Sequence, residues 1–285
     1  MFFIAEIGIN HNGDVEAAKK MIKIAKEKGF NAVKFQKRDP SIGIPEFMKN
    51  RMRETPWGYI SYPKYREYVE FEAAEYDDIQ WYCEEIGIDW FASAWDLPSF
   101  EFLKDYELKY NKIASPMLTY TPLLEAVAKE RKPTFISTGM STFKQIDAAV
   151  EIFRDNKCPF TLMHAVGIYP CPQIKCNIRM VRTLKERYKC PVGYSGHEVD
   201  LLPTVLAIVM GAEAIERHVT LDRAMWGTDQ VSSLESRGQE LLIRDSNLVD
   251  AILGDGMTRC LPEETKKAKQ LRWWENGDTK MANIQ

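Results

Sequence analysis

The stretch FFIAEIGINHNGD, from Phe2 to Asp14, is the pattern from which the fold can be read. It begins as an apolar run typical of a buried strand, carries one carboxylate, Glu6, inside that run, and ends in turn-forming residues. Asp14 is a favourable helix N-cap, and a helical pattern follows as far as Lys28, where Gly29 is placed to end the helix. The segment therefore predicts one buried strand followed by one helix.

The same strand–helix pattern recurs along the chain. With Phe2–Ile9, the predicted strands are 31–36, 88–93, 110–115, 133–137, 160–165, 191–195 and 212–218. Helical patterns are predicted at 14–28, 75–85, 98–104, 121–129, 141–154, 178–188, 201–210 and 238–253. Eight such units in about 250 residues predict the α/β class and a parallel TIM (β/α)8 barrel. An open doubly wound sheet is the alternative, and the lack of a GxGxxG pattern after the first strand argues against it.

Two segments do not follow the repeat. Residues 38–71 are too long for an ordinary connection, which predicts either an ordered active-site loop or lid, or an excursion that only covers the barrel. Residues 254–285 have no strand pattern, and Lys266–Trp274 is basic and aromatic. We expect a catalytic barrel at 1–253 that includes the insertion, and a tail at 254–285 packed on the barrel or on a partner subunit.

Composition excludes several classes of protein. The net charge of −3 gives no strong field for nucleic acid or a membrane surface. No apolar run reaches the roughly 18 residues of a membrane span, and the N-terminus does not resemble a signal peptide, so a cytoplasmic location is expected. The six cysteines form no CxxC pair and are expected to stay reduced. A metal or redox role for Cys171 and Cys176 is the less favoured interpretation.

Polar residues lie at the C-terminal end of every predicted strand, where TIM barrels place their active sites. Lys34 and Lys112 lie within apolar strands, and buried lysines need anions. Glu6 could neutralise one of them. The alternatives are an internal ion-pair network and a site for a small molecule that carries phosphate and carboxylate groups, with serine hydroxyls completing it. The candidate residues at the strand ends are Glu6, Asn10, His11, Lys34, Gln36, Ser93, Trp95, Asp96, Lys112, Ser115, Ser137, Thr138, His164, Tyr169, Ser195, His197, Glu216 and His218.

Two histidines end neighbouring predicted strands. His197 and His218 could together bind a divalent metal, because neutral imidazoles that converge from adjacent strands are good ligands. Glu198, Glu216 and Asp229 are candidate outer-shell partners of these ligands. By strand alternation, Glu213 and Arg217 should face the helices instead.

Seven motifs, in this order, resemble the sialic acid synthase (N-acetylneuraminate synthase, NeuB) family over residues 2–274. They are AEIGINHNGD (5–14), VKFQK (33–37), NKIAS (111–115), STGM (137–140), MHAVGIYPCP (163–172), GYSGH (193–197) and ERHVTLDRAMWGTDQVSSLE (216–235). The resemblance implies a transferase that condenses phosphoenolpyruvate with an open-chain aldose to give a 2-keto-3-deoxy sugar acid and phosphate. The expected acceptor is a nonphosphorylated hexose, with or without an N-acyl group.

The resemblance also implies roles for individual residues. Phosphoenolpyruvate is held by Lys34 and Lys112 with the hydroxyls of Ser93, Ser115, Ser137 and Ser195. A divalent metal, Mn²⁺ or Mg²⁺, is bound by His197 and His218. Glu6 acts close to the sugar and the metal, and Gln36, Tyr169 and Asp229 line the substrate site. Family members are dimers, so a homodimer is expected.

The sequence departs from the family pattern on the sugar side. We expect no C-terminal antifreeze-protein-like domain, which a separate protein could supply. Met117 stands where the family has a sugar-contacting glutamate, and Gly167 where it has an asparagine.

Two other functions stay open. A synthase of the Kdo-8-phosphate type, which uses a phosphorylated aldose, would need a basic phosphate pocket, and no KANRTS-like stretch follows the second strand. A non-catalytic binding barrel is the other, against which the retained lysines and histidines argue.

Overall fold

The computed structural model describes residues 1–272 and 274. The strands, in chain order, are β1 Phe2–Gly8, β2 Ala32–Lys37, β3 Met52–Thr55, β4 Gly58–Ser61, β5 Asp89–Ala94, β6 Asn111–Ile113, β7 Thr134–Ser137, β8 Phe160–Ala165, β9 Val192–Gly196 and β10 Ala214–His218. Eight of them are parallel and close into a barrel in the order β1-β10-β9-β8-β7-β6-β5-β2, and β2 pairs with β1, so the predicted TIM barrel is confirmed.

Eleven α-helices occur in the described residues. They are α1 Val15–Lys28, α2 Glu46–Lys49, α3 Tyr62–Val69, α4 Ala73–Ile86, α5 Leu97–Lys104, α6 Thr121–Glu130, α7 Phe143–Asp155, α8 Arg179–Tyr188, α9 Leu202–Val209, α10 Ser236–Leu253 and α11 Pro262–Leu271. The predicted ends of α1 are confirmed, since the Asp14 side chain accepts from the backbone N–H groups of Glu16 and Ala17 and Gly29 adopts the left-handed conformation. No helix in the described ranges is both long and apolar enough to cross a membrane.

The chain divides into two compact units, Met1–Val249 and Asp250–Gln285. The first unit contains the barrel, and the second includes α11. The sequence placed this boundary at 253/254, a few residues further on and still near the end of α10. Residues 273 and 275–285 of the predicted tail lie outside the described residues, and the packing of the tail on the barrel or on a partner stays a prediction.

The insertion at 38–71 has its own small fold. It contains α2, the antiparallel hairpin of β3 and β4, and α3. Neither the hairpin nor α3 was predicted, because the Pro, Gly and aromatic residues of the segment hide a regular period. Tyr65 and Val69 of α3 pack on Ile9, and four further half-buried hydrophobic residues cover this cluster: Trp57, Ile60, Tyr62 and Trp226. The insertion is therefore anchored by an apolar cluster separate from the main core.

Of the barrel strands that are shorter than predicted, β6 differs most. β6 ends at Ile113, and Ser115 begins a 3₁₀ turn that runs to Thr119. Pro116 accounts for this difference, because proline has no N–H group for a strand ladder but fits the first turn of a helix. Ser115 is therefore a turn residue rather than the last residue of a strand.

Two residues at β10 face outward and form ion pairs in the helix layer, as the alternation predicts. Arg217 is fully buried, with Nη1 3.1 Å from Glu198 Oε1 and 2.8 Å from Thr204 Oγ1 of α9. Glu213 precedes the strand and pairs with Lys185 of α8 at 2.9 Å, where both side chains are half exposed. The first pair is isolated from water, and the second is not.

Replacing Arg217 by methionine should therefore be far more costly than replacing Lys185. Arg217→Met leaves the Glu198 charge buried without its partner and should lower the free energy of unfolding by about 3–5 kcal/mol. Lys185→Met removes only a solvated pair and should cost about 0–1 kcal/mol. Urea denaturation of the two variants measures the difference, and equal midpoints would show that the buried pair does not stabilise the barrel.

Candidate active site

A cavity of about 350 Å³ opens at the C-terminal ends of the barrel strands. The twelve residues to which the resemblance assigned a catalytic, substrate-binding or metal-binding role all line it: Glu6, Lys34, Gln36, Ser93, Lys112, Ser115, Ser137, Tyr169, Ser195, His197, His218 and Asp229. Glu216 and Trp95 line it as well, whereas five other residues at the strand ends are not among its lining residues: Asn10, His11, Asp96, Thr138 and His164. Twelve residues from eight strands and their loops thus meet in one place. Its size is within the range of small-molecule sites.

Two buried lysines and two buried carboxylates form the floor of this cavity. Lys34 Nζ lies 2.6 Å from Glu6 Oε2 and 3.8 Å from Glu216 Oε1. Lys112 Nζ donates to Glu216 Oε2 at 2.9 Å and to Ser137 Oγ at 2.7 Å. The floor is therefore an ion-pair network, which is one of the two alternatives that the sequence offered. The same residues also line an open cavity, which the other alternative, a small-molecule site, requires. Glu216 contacts the two lysines. These contacts favour a role in the ion-pair network over the expected role as an outer-shell partner of the histidines.

The two carboxylates differ in acidity although both contact Lys34. Burial raises the pKa of Glu6 to about 7; the charge of Lys34 opposes this shift and that of Glu216 adds to it. Burial would also raise the pKa of Glu216, but Lys112 and Lys34 outweigh burial and lower it. At neutral pH, Glu216 is a fixed anion, whereas Glu6 can gain or lose a proton.

The backbone of β1 makes room for the Glu6 carboxylate. Gly8 has φ +55°, and the pairing of β1 with β2 shifts register between Glu6 and Gly8. A Cβ atom at position 8 would lie 3.0 Å from Glu6 Oε1 and 3.1 Å from Gln36 Nε2. Gln36 Nε2 donates to that same Oε1 atom at 3.0 Å. A glycine at this bulge therefore permits both the turn of the chain and the Glu6–Gln36 hydrogen bond.

His197 and His218 lie side by side, with ring centroids 5.5 Å apart. His197 Nδ1 lies 2.7 Å from the Val166 carbonyl oxygen, which assigns the proton to Nδ1 and the lone pair to Nε2. The Tyr169 hydroxyl lies 2.8 Å from that Nε2 atom. Burial, and then the neighbouring His218, lower the pKa of His197 to about 4. Burial also lowers the pKa of His218.

These two imidazoles fit a divalent metal. Both are neutral at physiological pH, and His218 Nδ1 is buried without a hydrogen-bond partner among the described residues, 3.8 Å from Asp229 Oδ2. Within those residues, no three His, Cys, Asp or Glu side chains converge on a common metal position. The protein would thus supply two nitrogens, and substrate oxygens or water the remaining ligands, as is usual for ions that retain water.

Three other residues named in the sequence analysis, His11, Met117 and Gly167, have surroundings that explain their identity. His11 is buried, stacks on Phe71 with ring centroids 3.8 Å apart and is not among the cavity-lining residues, which fits a loop-ordering role. Met117 packs against the main core. Gly167 lines the cavity, and a Cβ atom there would lie 3.0 Å from the Met140 side chain, so Met140 occupies space that an asparagine would need.

Sequence reasoning missed the part of the cavity that the insertion builds. Arg38, Tyr62 and Arg66 line it together with Trp95. The insertion thus forms a wall of the cavity, which decides between the two interpretations of residues 38–71 in favour of an ordered active-site segment. The signal in the sequence was the pair of basic residues after the predicted strand 31–36, Lys37 and Arg38. In the structure Lys37 is the last residue of β2, and Arg38 lines the cavity.

The protonation state of the histidines can be tested directly. Because burial lowers the pKa of each of the four, to about 3 for His11 and about 4 for His197, their imidazoles should stay neutral well below the usual value of about 6.5. Imidazole NMR shifts of His11 and His197 in the metal-free folded protein should hardly change between about pH 8 and about pH 5. In urea the same signals should titrate near 6.5, and a folded-state midpoint there would contradict the burial argument.

Comparison with known proteins agrees with this geometry. The model of the NeuB family matches residues 21–258. The chain is 38% identical to an N-acetylneuraminate-9-phosphate synthase of Drosophila melanogaster over 82% of this chain and 64% of that protein. It is 30% identical to an N,N'-diacetyllegionaminic acid synthase of Campylobacter jejuni over 94% of this chain and 82% of the relative.

A solved structure extends the similarity to three dimensions. The sialic acid synthetase of Leptospira borgpetersenii, crystallised with citrate, superposes with a TM-score of 0.81 at 32% identity, covering 96% of this chain and 93% of that chain. The family match, which spans most of the barrel unit, and the relatives that agree with it lead to one conclusion: this chain belongs to the NeuB family.

Proposed function

We propose that the protein condenses phosphoenolpyruvate with an open-chain aldose, giving a sialic-acid-like 2-keto-3-deoxy sugar acid and phosphate. The observation that carries the proposal is the network of Lys34 and Lys112 with Glu6 and Glu216 on the floor of the cavity. Buried lysines whose carboxylate partners face an open cavity can turn toward an anionic ligand. Relatives named as synthases of sialic and legionaminic acids support the same reaction class.

The lysines are placed to hold the phosphate and carboxylate groups of phosphoenolpyruvate. Four serines line the same cavity, and Ser137 and Ser195 already contact the network, Ser137 through Lys112 and Ser195 by donating to Glu216 Oε1 at 3.1 Å. Fixed cations beside a phosphate stabilise the charge that develops as it leaves. Lys34 and Lys112 would therefore act in both binding and the C–O cleavage that releases phosphate.

Glu6 is the group that we propose moves protons. When C3 of phosphoenolpyruvate attacks the aldehyde, the protonated Glu6 gives its proton to the aldehyde oxygen. Attack leaves positive charge at C2, and the resulting carboxylate takes a proton from the water that adds there, which restores the acid form of Glu6. As the adduct collapses, the C2 hydroxyl becomes the ketone, the C2–O bond to phosphate breaks, and the hydroxyl proton leaves on the phosphate. A pKa near 7 suits both steps, because the acid and the base forms are then both populated.

His197 and His218 would hold a divalent metal, Mn²⁺ or Mg²⁺, which supplies Lewis acidity toward a carbonyl oxygen when it is bound. The Val166 carbonyl oxygen, 2.7 Å from His197 Nδ1, and Asp229 Oδ2, 3.8 Å from His218 Nδ1, would keep the two rings in place. The Tyr169 hydroxyl contacts the Nε2 atom of His197 at 2.8 Å and would have to leave that nitrogen to the metal. The homodimer and the cytoplasmic location remain predictions from the sequence.

The names of the relatives leave the acceptor open, since the product in one name carries a phosphate group and the product in the other does not. The proposal is therefore first tested with a panel of aldoses that includes N-acetylmannosamine, its 6-phosphate, diacetamido-trideoxyhexoses, mannose and arabinose 5-phosphate. Phosphate release from phosphoenolpyruvate with Mn²⁺ is the readout. A protein that releases no phosphate with any of them would support the binding-barrel alternative.

Glu6→Gln should reduce kcat by about 10²–10⁴-fold, the usual contribution of a positioned acid or base, while phosphoenolpyruvate still binds. The matched control is Glu213→Gln, which removes a half-exposed carboxylate that pairs with Lys185 on the outside of the barrel. Phosphate release measures turnover, and calorimetry measures binding. Full activity of Glu6→Gln would eliminate the proton-transfer role.

His197→Asn and His218→Asn should each weaken Mn²⁺ binding by about 100-fold or more, because even residues that only orient metal ligands contribute about 10–100-fold. Calorimetric titration with Mn²⁺ reads this out without any turnover. His11→Phe keeps the stacking on Phe71, lies outside the cavity lining, and serves as the control that should bind Mn²⁺ normally. Unchanged Mn²⁺ affinity in both asparagine variants would rule out these ligands.

A further inference from the structure

Two arginines that line the cavity share one carboxylate. Arg38 directly follows β2, and Arg66 lies in α3 of the insertion. Arg66 Nη2 lies 2.5 Å from Glu70 Oε1, and Arg38 Nε lies 3.4 Å from that same oxygen. The other oxygen of Glu70 accepts from the backbone N–H of Arg38 at 3.1 Å. One negative charge therefore faces two positive charges.

This excess charge is buried. Arg38 is 7% exposed, Arg66 2% and Glu70 8%. Burial, and then the charge of Arg66, lower the pKa of Arg38 to about 10, and Glu70 offsets only part of this shift. A buried charge without a counter-charge is costly. Asp229 also lines the cavity, but its carboxylate faces His218.

The two guanidinium groups also have donors to spare. Each group carries five N–H donors. Among the described residues, the Arg38 side chain makes one hydrogen bond, from Nη2 to Gln36 Oε1 at 3.0 Å, and Arg66 makes one, to Glu70. The Arg38 guanidinium lies over the Trp95 ring, with its central carbon 3.8 Å from the ring centroid. Stacking of this kind holds the plane of the group while its edge stays available.

The arginines lie at a different part of the cavity from the lysines. A chain of contacts joins them: Lys34 contacts Glu6, Glu6 accepts from Gln36, and Gln36 accepts from Arg38. Glu6 and Gln36 therefore separate the arginines from the anion-binding lysines. An aldose whose aldehyde meets phosphoenolpyruvate beside Glu6 would extend past Gln36 toward Arg38 and Arg66.

We propose that Arg38, Arg66 and Glu70 form a subsite for a phosphate group on the acceptor aldose, at the end of the sugar far from its aldehyde. A phosphate monoester carries about two negative charges and three acceptor oxygens, enough to meet both guanidiniums at once. The acceptor class is then a hexose phosphate rather than the nonphosphorylated hexose that the sequence favoured. This inference rests on the proposed function for the sugar's orientation, while the arginine subsite itself rests on the contacts given above.

The closing experiment compares N-acetylmannosamine 6-phosphate with N-acetylmannosamine in two assays. Consumption of phosphoenolpyruvate with Mn²⁺ gives kcat/KM for each sugar, and calorimetry gives the affinity of the full-length protein for each sugar without turnover. The wild-type protein should prefer the phosphorylated sugar by about 100-fold or more in both assays, since each charge-assisted hydrogen bond contributes about 10–100-fold.

Arg38→Met and Arg66→Met should each lower the ratio of phosphorylated to nonphosphorylated kcat/KM by about 10–100-fold. Arg66→Lys keeps the charge opposite Glu70 and should retain part of the preference even if Arg66→Met folds poorly. Arg53→Met is the matched control. Arg53 belongs to the same insertion but stacks on Tyr65 and Trp226, 4.4 and 5.0 Å from their ring centroids, and does not line the cavity. It should leave the ratio unchanged.

The outcomes separate the two proposals. No consumption of phosphoenolpyruvate with either sugar, together with tight binding of the phosphorylated one, would overturn the proposed reaction and keep the subsite. Turnover or binding without preference for the phosphorylated sugar would overturn the subsite and keep the reaction. The subsite is also wrong if Arg38→Met weakens phosphoenolpyruvate binding alone, or if the corresponding hexuronic acid is preferred to the hexose phosphate.

Discussion

The pairing of two buried lysines with two buried carboxylates is the constraint on which the site depends. An ammonium group inside a barrel is stable only beside negative charge, and a carboxylate there has the reciprocal requirement. Lys34 and Lys112 share Glu216, and Lys34 also contacts Glu6. Because strands on both sides of β1 supply these groups, the barrel cannot close in another register without breaking the pairs.

The same arrangement gives two carboxylates two different chemistries. Glu216 lies between both lysines and stays charged, whereas burial and the nearby anion dominate at Glu6. Nothing in the residue types separates them, since both are glutamates on adjacent strands. The difference comes from how many cations each one contacts. A fixed anion and a proton carrier are therefore made from one residue type by position alone.

Much of this could be predicted from the sequence, because a parallel barrel brings the C-terminal ends of all its strands to the same face. Alternating strands and helices indicated the closed sheet, and polar strand ends identified residues that the structure brings together in one cavity. The insertion could not be predicted in the same way. Its hairpin has too few residues for a clear period, and the contact of Arg38 with Glu70 depends on how α3 packs against Ile9. The role of Glu216 was missed because the sequence does not show which lysine reaches which carboxylate.

The separate apolar cluster under α3 has an evolutionary consequence. Tyr65, Val69 and Ile9 pack α3 in a cluster of its own, and Phe71, at the end of the insertion, belongs to the main core. Substitutions at the cavity-facing positions of α3 therefore change few contacts of the barrel core. Selection can then modify the outer wall of the site while the strands that carry the ionic floor remain under a different constraint. A fold with this division can diversify at its rim and remain conservative at its base.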